Sequence, residues 1–250
     1  MRLSGIYRLK LWCCLLLVGG LPGGCEKGVF FRTDTIIAES FVLDPFDEIM
    51  IEDIFVIELK NDSVFSVIIE SSEDIMENIS YDIKDNKLLL NDNNSYKWMP
   101  DYPFAKLTIS FPCIRVLNIN KASEVFSEDT LNIDQLSIFC NAQLIDLDLA
   151  VNAGHISLRT ETDNYGQYTL RGSAESADLR VFGSAQLWAD GLANKNAMVR
   201  NYSIGDCHIS AEKQLKVWIE KYGNVYYYGI PEEIIVESMT SRGRLIKKDE

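Results

Sequence analysis

A short turn built on small residues recurs along the chain and constrains the fold more than any other feature. The small residues follow one another at spacings of 19, 24, 19, 20 and 18: Ser123, Ala142, Gly166, Ala185, Gly205 and Gly223. Five of them come six residues after an aliphatic residue: Leu117, Leu136, Leu179, Val199 and Val217. A fixed offset within a nearly constant period is typical of a solenoid, in which stacked repeats bury one continuous core.

The segments between these turns alternate apolar and polar residues, as half-buried strands do. Earlier aliphatic centres are spaced almost as regularly, at Ile51, Ile69, Leu90 and Ile109. We therefore predict an all-β, right-handed β-helix-like solenoid with roughly ten rungs of about 19 to 20 residues. An antiparallel β-sandwich is the alternative. Residues 72–83 are compatible with one helical turn or a bent strand, and positive φ is a hypothesis for Gly166, Gly205 and Gly223.

The N-terminal segment has the features of a secretion signal. Arg2, Arg8 and Lys10 precede the apolar run 11–18, which is too short for a membrane span, and Cys25 follows small residues. We predict a lipoprotein signal peptide over 1–24, lipidation of Cys25, a tether over 25–40 and one solenoid domain over 41–250. Ordinary signal cleavage that leaves Cys25 as a free thiol is the alternative.

Charge and cysteine content limit the classes of partner. The chain has 24 Lys plus Arg against 37 Asp plus Glu, a net charge of -13, so nucleic acid is not an expected partner. Three cysteines follow Cys25 in the chain: Cys113, Cys140 and Cys207. Three thiols cannot all form disulfides with one another, and their spacing matches no zinc site, so we expect them to be buried and unpaired. No metal or cofactor site is predicted.

The series of motifs resembles a known family. These motifs are Phe46-Asp47-Glu48-Ile49, the alternating segments 67–70 and 107–112, the recurrent turns, and the closing run 223–231. They are similar to the family called putative auto-transporter adhesin, head GIN domain, over about residues 46–246. The resemblance implies a secreted, often lipid-anchored, β-helix-like protein of Gram-negative bacteria, located in the cell envelope and expected on the periplasmic or outer face of the outer membrane. The family offers no catalytic residues.

A catalytic centre is not evident in the sequence. Asp146 and Asp148 share one side of a predicted strand, but a glycosidase needs two carboxylates across a cleft, and we interpret them as solvated outer-face residues. We predict a non-enzymatic envelope protein, an adhesin or binding module for a protein or a glycan, attached to the membrane by its lipid. A polysaccharide lyase or hydrolase on the same scaffold is the alternative.

Two segments are candidate binding sites. One is an aromatic loop broken by two prolines, whose rings either contact a ligand or close one end of the coil: Tyr96, Trp98, Tyr102 and Phe104. The other is the turn with the irregular spacing of 24, where a loop projects or the inward column becomes polar: Thr160, Asp163 and Tyr165.

Three Asp-[Ser/Thr]-apolar triplets resemble O-glycosylation acceptors of some Gram-negative gut bacteria. Their acceptor residues are Thr35, Ser63 and Thr130.

Overall fold

The computed structural model describes residues 35–99 and 102–249, so the predicted signal peptide and Cys25 lie outside the described residues. The described residues contain nineteen strands and one helical turn. In chain order they are β1 (Ile36–Val42), β2 (Glu48–Ile51), β3 (Val56–Asn61), β4 (Ser66–Ser72), α1 (Glu73–Met76), β5 (Ile79–Lys84), β6 (Lys87–Asp92), β7 (Lys106–Phe111), β8 (Val116–Ile119), β9 (Ser123–Phe126), β10 (Leu131–Cys140), β11 (Ile145–Thr160), β12 (Gln167–Gly183), β13 (Gln186–Ala189), β14 (Leu192–Ser203), β15 (Cys207–Ser210), β16 (Gln214–Ile219), β17 (Val225–Tyr228), β18 (Glu233–Met239) and β19 (Leu245–Lys247).

Parallel pairing stacks these strands into a β-solenoid of about 7 turns, which confirms the predicted fold class. The first face contains β6, β2, β8, the C-terminal parts of β10, β11, β12 and β14, then β16 and β18. The second face contains β7, β3, β9, the N-terminal parts of β11 and β12, then β13, β15, β17 and β19. A short third face joins them through segments such as 131–133 and 151–153.

The core is made of columns in which each side chain lies above its counterpart one rung away. One column on the first face is almost fully buried: Leu117, Ile138, Leu158, Leu179, Val199 and Val217. Every rung therefore buries its aliphatic residues against the next rung, because a single rung has no interior of its own. Of the five predicted aliphatic residues, Leu136 is also buried but belongs to the neighbouring column, opposite Ile156.

The N-terminal third departs from simple stacking, so the predicted ten rungs become about seven turns. β4 pairs antiparallel with β1 and β7, and β5 pairs antiparallel with β6. Ile69 therefore lies in an antiparallel strand at the end of the second face rather than in a rung. The rung of β2 and β3 is inserted between β6–β7 and β8–β9, which the even spacing of aliphatic centres could not reveal. The folded part begins by Ile36, within the predicted tether.

The recurrent turns do stack in one column, with two corrections. Register places Ile145, not Ala142, between Ser123 and Gly166, so the apparent spacings of 19 and 24 become 22 and 21. The hypothesis of positive φ is wrong for Gly166, Gly205 and Gly223, because none of the three has it. They are small because the turns touch: a Cβ on Gly223 would lie 1.8 Å from the carbonyl oxygen of Gly205.

Two smaller predictions are settled locally. Residues 72–83 contain one helical turn, α1, followed by strand β5, so both of the predicted conformations occur.

Cys140 and Cys207 are free and buried, and burial raises the pKa of both thiols. Cys113 is free but exposed, because it follows Pro112 in the connection between β7 and β8 rather than lying in an inward column.

Candidate functional site

Both predicted binding segments lie on one edge of the solenoid, where the first face turns into the second. We call this the corner edge; it comprises residues 93–99 and 102–105 and the turns 52–55, 120–122, 141–144, 161–166, 184–185, 204–206, 220–224 and 240–244, in spatial order. The aromatic loop and the turn at Tyr165 are four rungs apart, about 19 Å at a strand spacing near 4.8 Å. The structure therefore brings them into line without bringing them into contact.

The aromatic loop is fastened to the rung beside it. Tyr102 is buried and its hydroxyl donates to Asp92 Oδ2 over 2.6 Å, while the ammonium of Lys97 lies 2.5 Å from Asp53 Oδ2 in the adjacent turn. Burial and the hydrogen bond to Asp92 raise the pKa of the Tyr102 hydroxyl. Of the remaining rings, Trp98 is the most exposed, and Tyr96 and Phe104 are also accessible. The loop thus uses one ring for support and presents the others.

The turn at 161–166 is held by a buried amide that the sequence analysis did not single out. Asn164 accepts hydrogen bonds from Gly166 N (2.8 Å) and the Tyr168 hydroxyl (2.9 Å), and its amide donates to Ala142 O (2.8 Å). Thr160 is buried and its hydroxyl accepts from Phe182 N, so it supports the turn and offers no surface. Asp163 and Tyr165 point outward. The irregular rung is therefore both polar inside and projecting outside.

An exposed apolar column runs along the corner edge, and we call it the corner ridge. Backbone hydrogen bonds between successive turns, such as Tyr165 N to Gln143 O and Ile204 N to Gly183 O, hold it in register. Four large side chains stand on it with exposed fractions of 56% to 62%: Leu144, Tyr165, Ile204 and Tyr222. Leu144, Ile204 and Tyr222 were missed, although a signal was present for two of them: Ile204 and Tyr222, like Tyr165, directly precede the glycine of their turn.

A small cleft opens beside the aromatic loop. Its volume is about 250 Å³, and it is lined by Ile36, Glu70, Ser71, Ser72, Pro103, Phe104 and Lys106. The hydroxyl oxygens of Ser71 and Ser72 are buried and have no hydrogen-bond partner among the described residues. Glu70 is the single carboxylate among the described lining residues, and it lies 4.0 Å from Lys106 Nζ. The accessible lining of this cleft is mainly apolar and includes the ring of Phe104.

The outer side of the first face carries arginines and aromatic rings next to the ridge. Arg159, Arg180 and Arg200 are in register on neighbouring strands. Between them and the ridge, Phe182 stacks on Tyr202 with ring centroids 4.8 Å apart. Sequence reasoning missed this surface because it appears only when residues about 20 positions apart are aligned.

The outer side of the second face carries a separate stack of rings. Trp188, His208 and Tyr226 follow one another with centroid distances of 4.1 and 4.8 Å, and His208 Nδ1 lies 3.0 Å from the Tyr228 hydroxyl. Because the rings cover each other's faces, mainly their edges meet solvent. This stack stabilises the solenoid rather than offering flat faces to a ligand.

The remaining predicted residues are dispersed. Asp146 is exposed, and Asp148 binds Arg171 at 2.7 Å. Thr35, Ser63 and Thr130 are exposed, so an enzyme could reach them, and their modification stays a prediction. In residues 35–99 and 102–249 no group of His, Cys, Asp or Glu is placed to hold a metal ion, and no helix is long and apolar enough to cross a bilayer.

Comparison with known proteins agrees with this architecture. No curated protein sequence matches the chain. Among solved structures, a putative adhesin from Bacteroides fragilis is similar, with a TM-score of 0.75 and 20% identity over 86% of this chain and 98% of that chain. A putative lipid binding protein from Parabacteroides distasonis gives a TM-score of 0.63 and 14% identity over 86% and 97%. A putative adhesin from Parabacteroides merdae gives 0.57 and 16% over 86% and 97%. At these identities the likeness shows the shared fold.

The motifs that suggested a family are matched by that family's model over residues 45–231. This span begins just before β2 and ends in the turn that precedes β18. The chain belongs to the family described as "putative auto-transporter adhesin, head GIN domain".

Proposed function

We propose that this protein is a non-enzymatic binding module of the cell envelope that holds a glycan along its corner ridge. The observation that carries the proposal is the row of four large, more than half-exposed side chains on one edge: Leu144, Tyr165, Ile204 and Tyr222. Ser184 interrupts the row between Tyr165 and Ile204, but exposed apolar side chains grouped on one edge still mark a place of interaction. The family description and the names of the similar structures support a binding role.

The shape of the ridge favours an extended sugar polymer. The ridge is one residue wide and its positions repeat at the strand spacing of about 4.8 Å, so a linear chain can contact Leu144 and Tyr165, pass over Ser184, and contact Ile204 and Tyr222. Tyrosine rings pack against the C–H face of a sugar while their hydroxyls stay in water. Exposed polar side chains flank the ridge and can bond sugar hydroxyls: Asn141, Gln143, Asp163 and Lys221. A globular protein partner would need about 800 Å² of matching surface, which suits a flat face better than an edge.

The carboxylates support binding over hydrolysis. Among the described residues that line the cleft beside the aromatic loop there is one carboxylate, Glu70, whereas a glycosidase uses two on either side of the scissile bond. Asp148, on the second face, is neutralised by Arg171. The lyase or hydrolase alternative would show itself as new reducing ends or unsaturated products when the protein is incubated with a bound polysaccharide.

Attachment to the membrane through a lipid on Cys25 is part of the proposal. It is supported by the signal-like segment and cysteine of the sequence and by membership of a family described as adhesins. Replacement of Cys25→Ser should release the protein into the soluble fraction of the expressing cell. Unchanged retention in the membrane fraction would contradict lipid anchoring and leave glycan binding untouched.

Glycan binding is tested with the full-length lipoprotein in detergent on a glycan array, followed by calorimetry with the best polysaccharide. We expect Tyr165→Ala with Tyr222→Ala to lower affinity at least tenfold, because each removes about 1 to 2 kcal/mol of ring contact. The matched control is Tyr228→Ala, a tyrosine on the second face. An equal loss in both variants, or binding to phospholipid vesicles in place of any glycan, would overturn the proposal.

A further inference from the structure

Three arginines stand in one column on the outer side of the first face. Parallel register aligns Arg159 with Arg180 and Arg180 with Arg200. Their strand neighbours point inward and are buried, for example Leu179 and Val181 on either side of Arg180, so alternation directs the arginines outward. We call this the arginine column.

The column concentrates positive charge in a chain whose net charge is -13. Like charges directly opposite on neighbouring strands destabilise a sheet unless something compensates them. One carboxylate serves two of the arginines: Asp178 Oδ2 lies 2.9 Å from Arg180 Nη2, and Asp178 Oδ1 lies 2.5 Å from Arg200 Nη1. For Arg159, the described residues provide only Glu161, at 3.9 Å. Three guanidinium groups thus share two carboxylates.

The next rung adds the positive charge of Lys216 beside the arginine column and holds Arg200, the last arginine of the column, in place. Trp218 follows Arg200 in the column, and the Arg200 guanidinium lies 4.5 Å from its ring centroid. Lys216 Nζ lies 5.2 Å from the same ring and 2.6 Å from Glu237 Oε1. Cation–π contact and Asp178 hold Arg200 in place, and its side chain is only 19% exposed. Arg180 and Arg159 are far more exposed, at 42% and 52%, and can turn their donors toward a ligand.

The arginine column is continuous with the corner ridge. Arg200 and Tyr202 occupy successive outward positions along β14, and Ile204 follows in the turn after it; along β12, Arg180 and Phe182 occupy successive outward positions. Outward backbone positions are about 6.7 Å apart, so Arg200 lies roughly 13 Å along the backbone from Ile204, with the Phe182–Tyr202 pair between the arginine column and the ridge. A polymer on the ridge can therefore direct its side groups over the ring pair to the arginines.

We propose that the bound glycan is an acidic polysaccharide, whose carboxylate or sulfate groups are held by the arginine column. This rests on the proposed glycan binding and adds the charge class of the ligand. A guanidinium binds a carboxylate or sulfate with two parallel N–H donors, and the planar fork suits these oxyanions better than a lysine does. A bound oxyanion also supplies the negative charge that the column lacks. The adjacent rings give the sugar backbone its apolar contact.

The test uses full-length protein in detergent and pairs of polysaccharides that differ only in charge. The acidic members are polygalacturonate, alginate, chondroitin sulfate and heparin, and each is compared with its carboxyl-reduced or desulfated counterpart. We expect at least one acidic member to bind at least tenfold more tightly than its neutral counterpart. That preference should weaken as salt is added, because salt screens exposed charges.

Matched variants assign the preference to the column. Arg159→Gln and Arg180→Gln should each lower affinity for the acidic member by about tenfold, while Arg171→Gln should not. Arg171 is a fair control because it is as exposed as Arg159 and is paired with Asp148 away from the first face. An unchanged melting temperature in all three variants would exclude unfolding as the cause.

Failure of this inference is distinguishable from failure of the proposed function. Equal binding of acidic and neutral members, lost on Tyr165→Ala with Tyr222→Ala, would overturn the acidic ligand and keep glycan binding. Acidic binding that persists in both arginine variants would also overturn the role of the column. Absence of binding to every member of the panel would overturn both. Inhibition by millimolar inorganic sulfate or phosphate alone, with no polysaccharide bound, would mark an adventitious ion site and overturn the proposal.

Discussion

The hydroxyl of Tyr168 donates a hydrogen bond to Asn164 Oδ1 over 2.9 Å, and the two side chains are buried together inside the corner edge. Replacement of Asn164→Ala removes the one side chain that bonds this hydroxyl, Gly166 N and Ala142 O together. We expect a loss of about 3 kcal/mol in the free energy of unfolding, seen as a melting temperature lower by roughly 6 to 12 °C. Asp163→Ala, at the exposed neighbour, should change it by less than about 0.5 kcal/mol. Equal effects would show that the turn does not depend on the buried amide.

Gly223 is small because its turn touches the turn before it. A Cβ at this position would lie 1.8 Å from Gly205 O, which belongs to a backbone that cannot move without disturbing the column. Gly223→Ala should therefore destabilise the protein by about 3 kcal/mol or more, measured by chemical denaturation. Gly191→Ala is the control, since its nearest atom would be the flexible Arg171 Cγ at 3.3 Å. A harmless Gly223→Ala would mean that the turns stack less tightly.

His208 makes stability depend on pH. Burial in the ring stack lowers its pKa below 6.5, assisted by Lys248 and opposed by Asp190 and Asp206. The unfolded chain then binds the proton more readily than the folded one, so stability is complete above about pH 6.5 and decreases as the pH falls through the folded pKa. His208→Phe keeps the stack and should remove this part of the decrease.

The measurement is the free energy of unfolding by denaturant at intervals from pH 7.5 to pH 5. His155→Gln is the control, because His155 lies outside the stack and bonds Ser176 Oγ at 2.8 Å. If His208→Phe keeps the same slope as the unmodified protein below pH 6.5, another group causes the dependence.

Replacement by alanine should have opposite effects on the free energy of unfolding at a cleft serine without a hydrogen-bond partner and at a serine that has one. Ser72 Oγ is buried without a partner among the described residues, so Ser72→Ala should raise the free energy of unfolding by about 1 kcal/mol. Ser203 Oγ donates to Ala185 O and accepts from Gly205 N, so Ser203→Ala should lower it by a similar amount. Destabilisation by both substitutions would show that Ser72 has a bonding partner, such as an ordered water.

Much of the fold was accessible from pattern alone. Residues such as Leu179 and Val199 were correctly placed in the core because alternation and period depend only on local sequence. The column of turns was found except at Ala142, where a three-residue error in phase put the wrong residue at the corner. Such errors matter because a shift of one residue moves a side chain from the inside of a strand to the outside.

The candidate surfaces were accessible only in part. Tyr165 and Trp98 were identified by their local surroundings, but the ridge that aligns Tyr165 with Ile204 and Tyr222 was not. The sequence left open whether Tyr102 and Thr160 are buried, because their burial depends on Asp92 and on Phe182, which contact them only in the folded chain.

The amino-acid sequence by itself determined that this chain forms stacked β-rungs with small residues at the corners, because a repeated apolar alternation can be buried only by stacking on its neighbours. The tertiary structure decided the order of the first rungs, with β2–β3 inserted between β6–β7 and β8–β9. It also decided which outward residues share a column, including Arg159, Arg180 and Arg200. Which residues lie opposite each other on neighbouring rungs depends on the length of every strand and turn between them. This register is therefore fixed only when backbone hydrogen bonds form between the rungs of the folded chain.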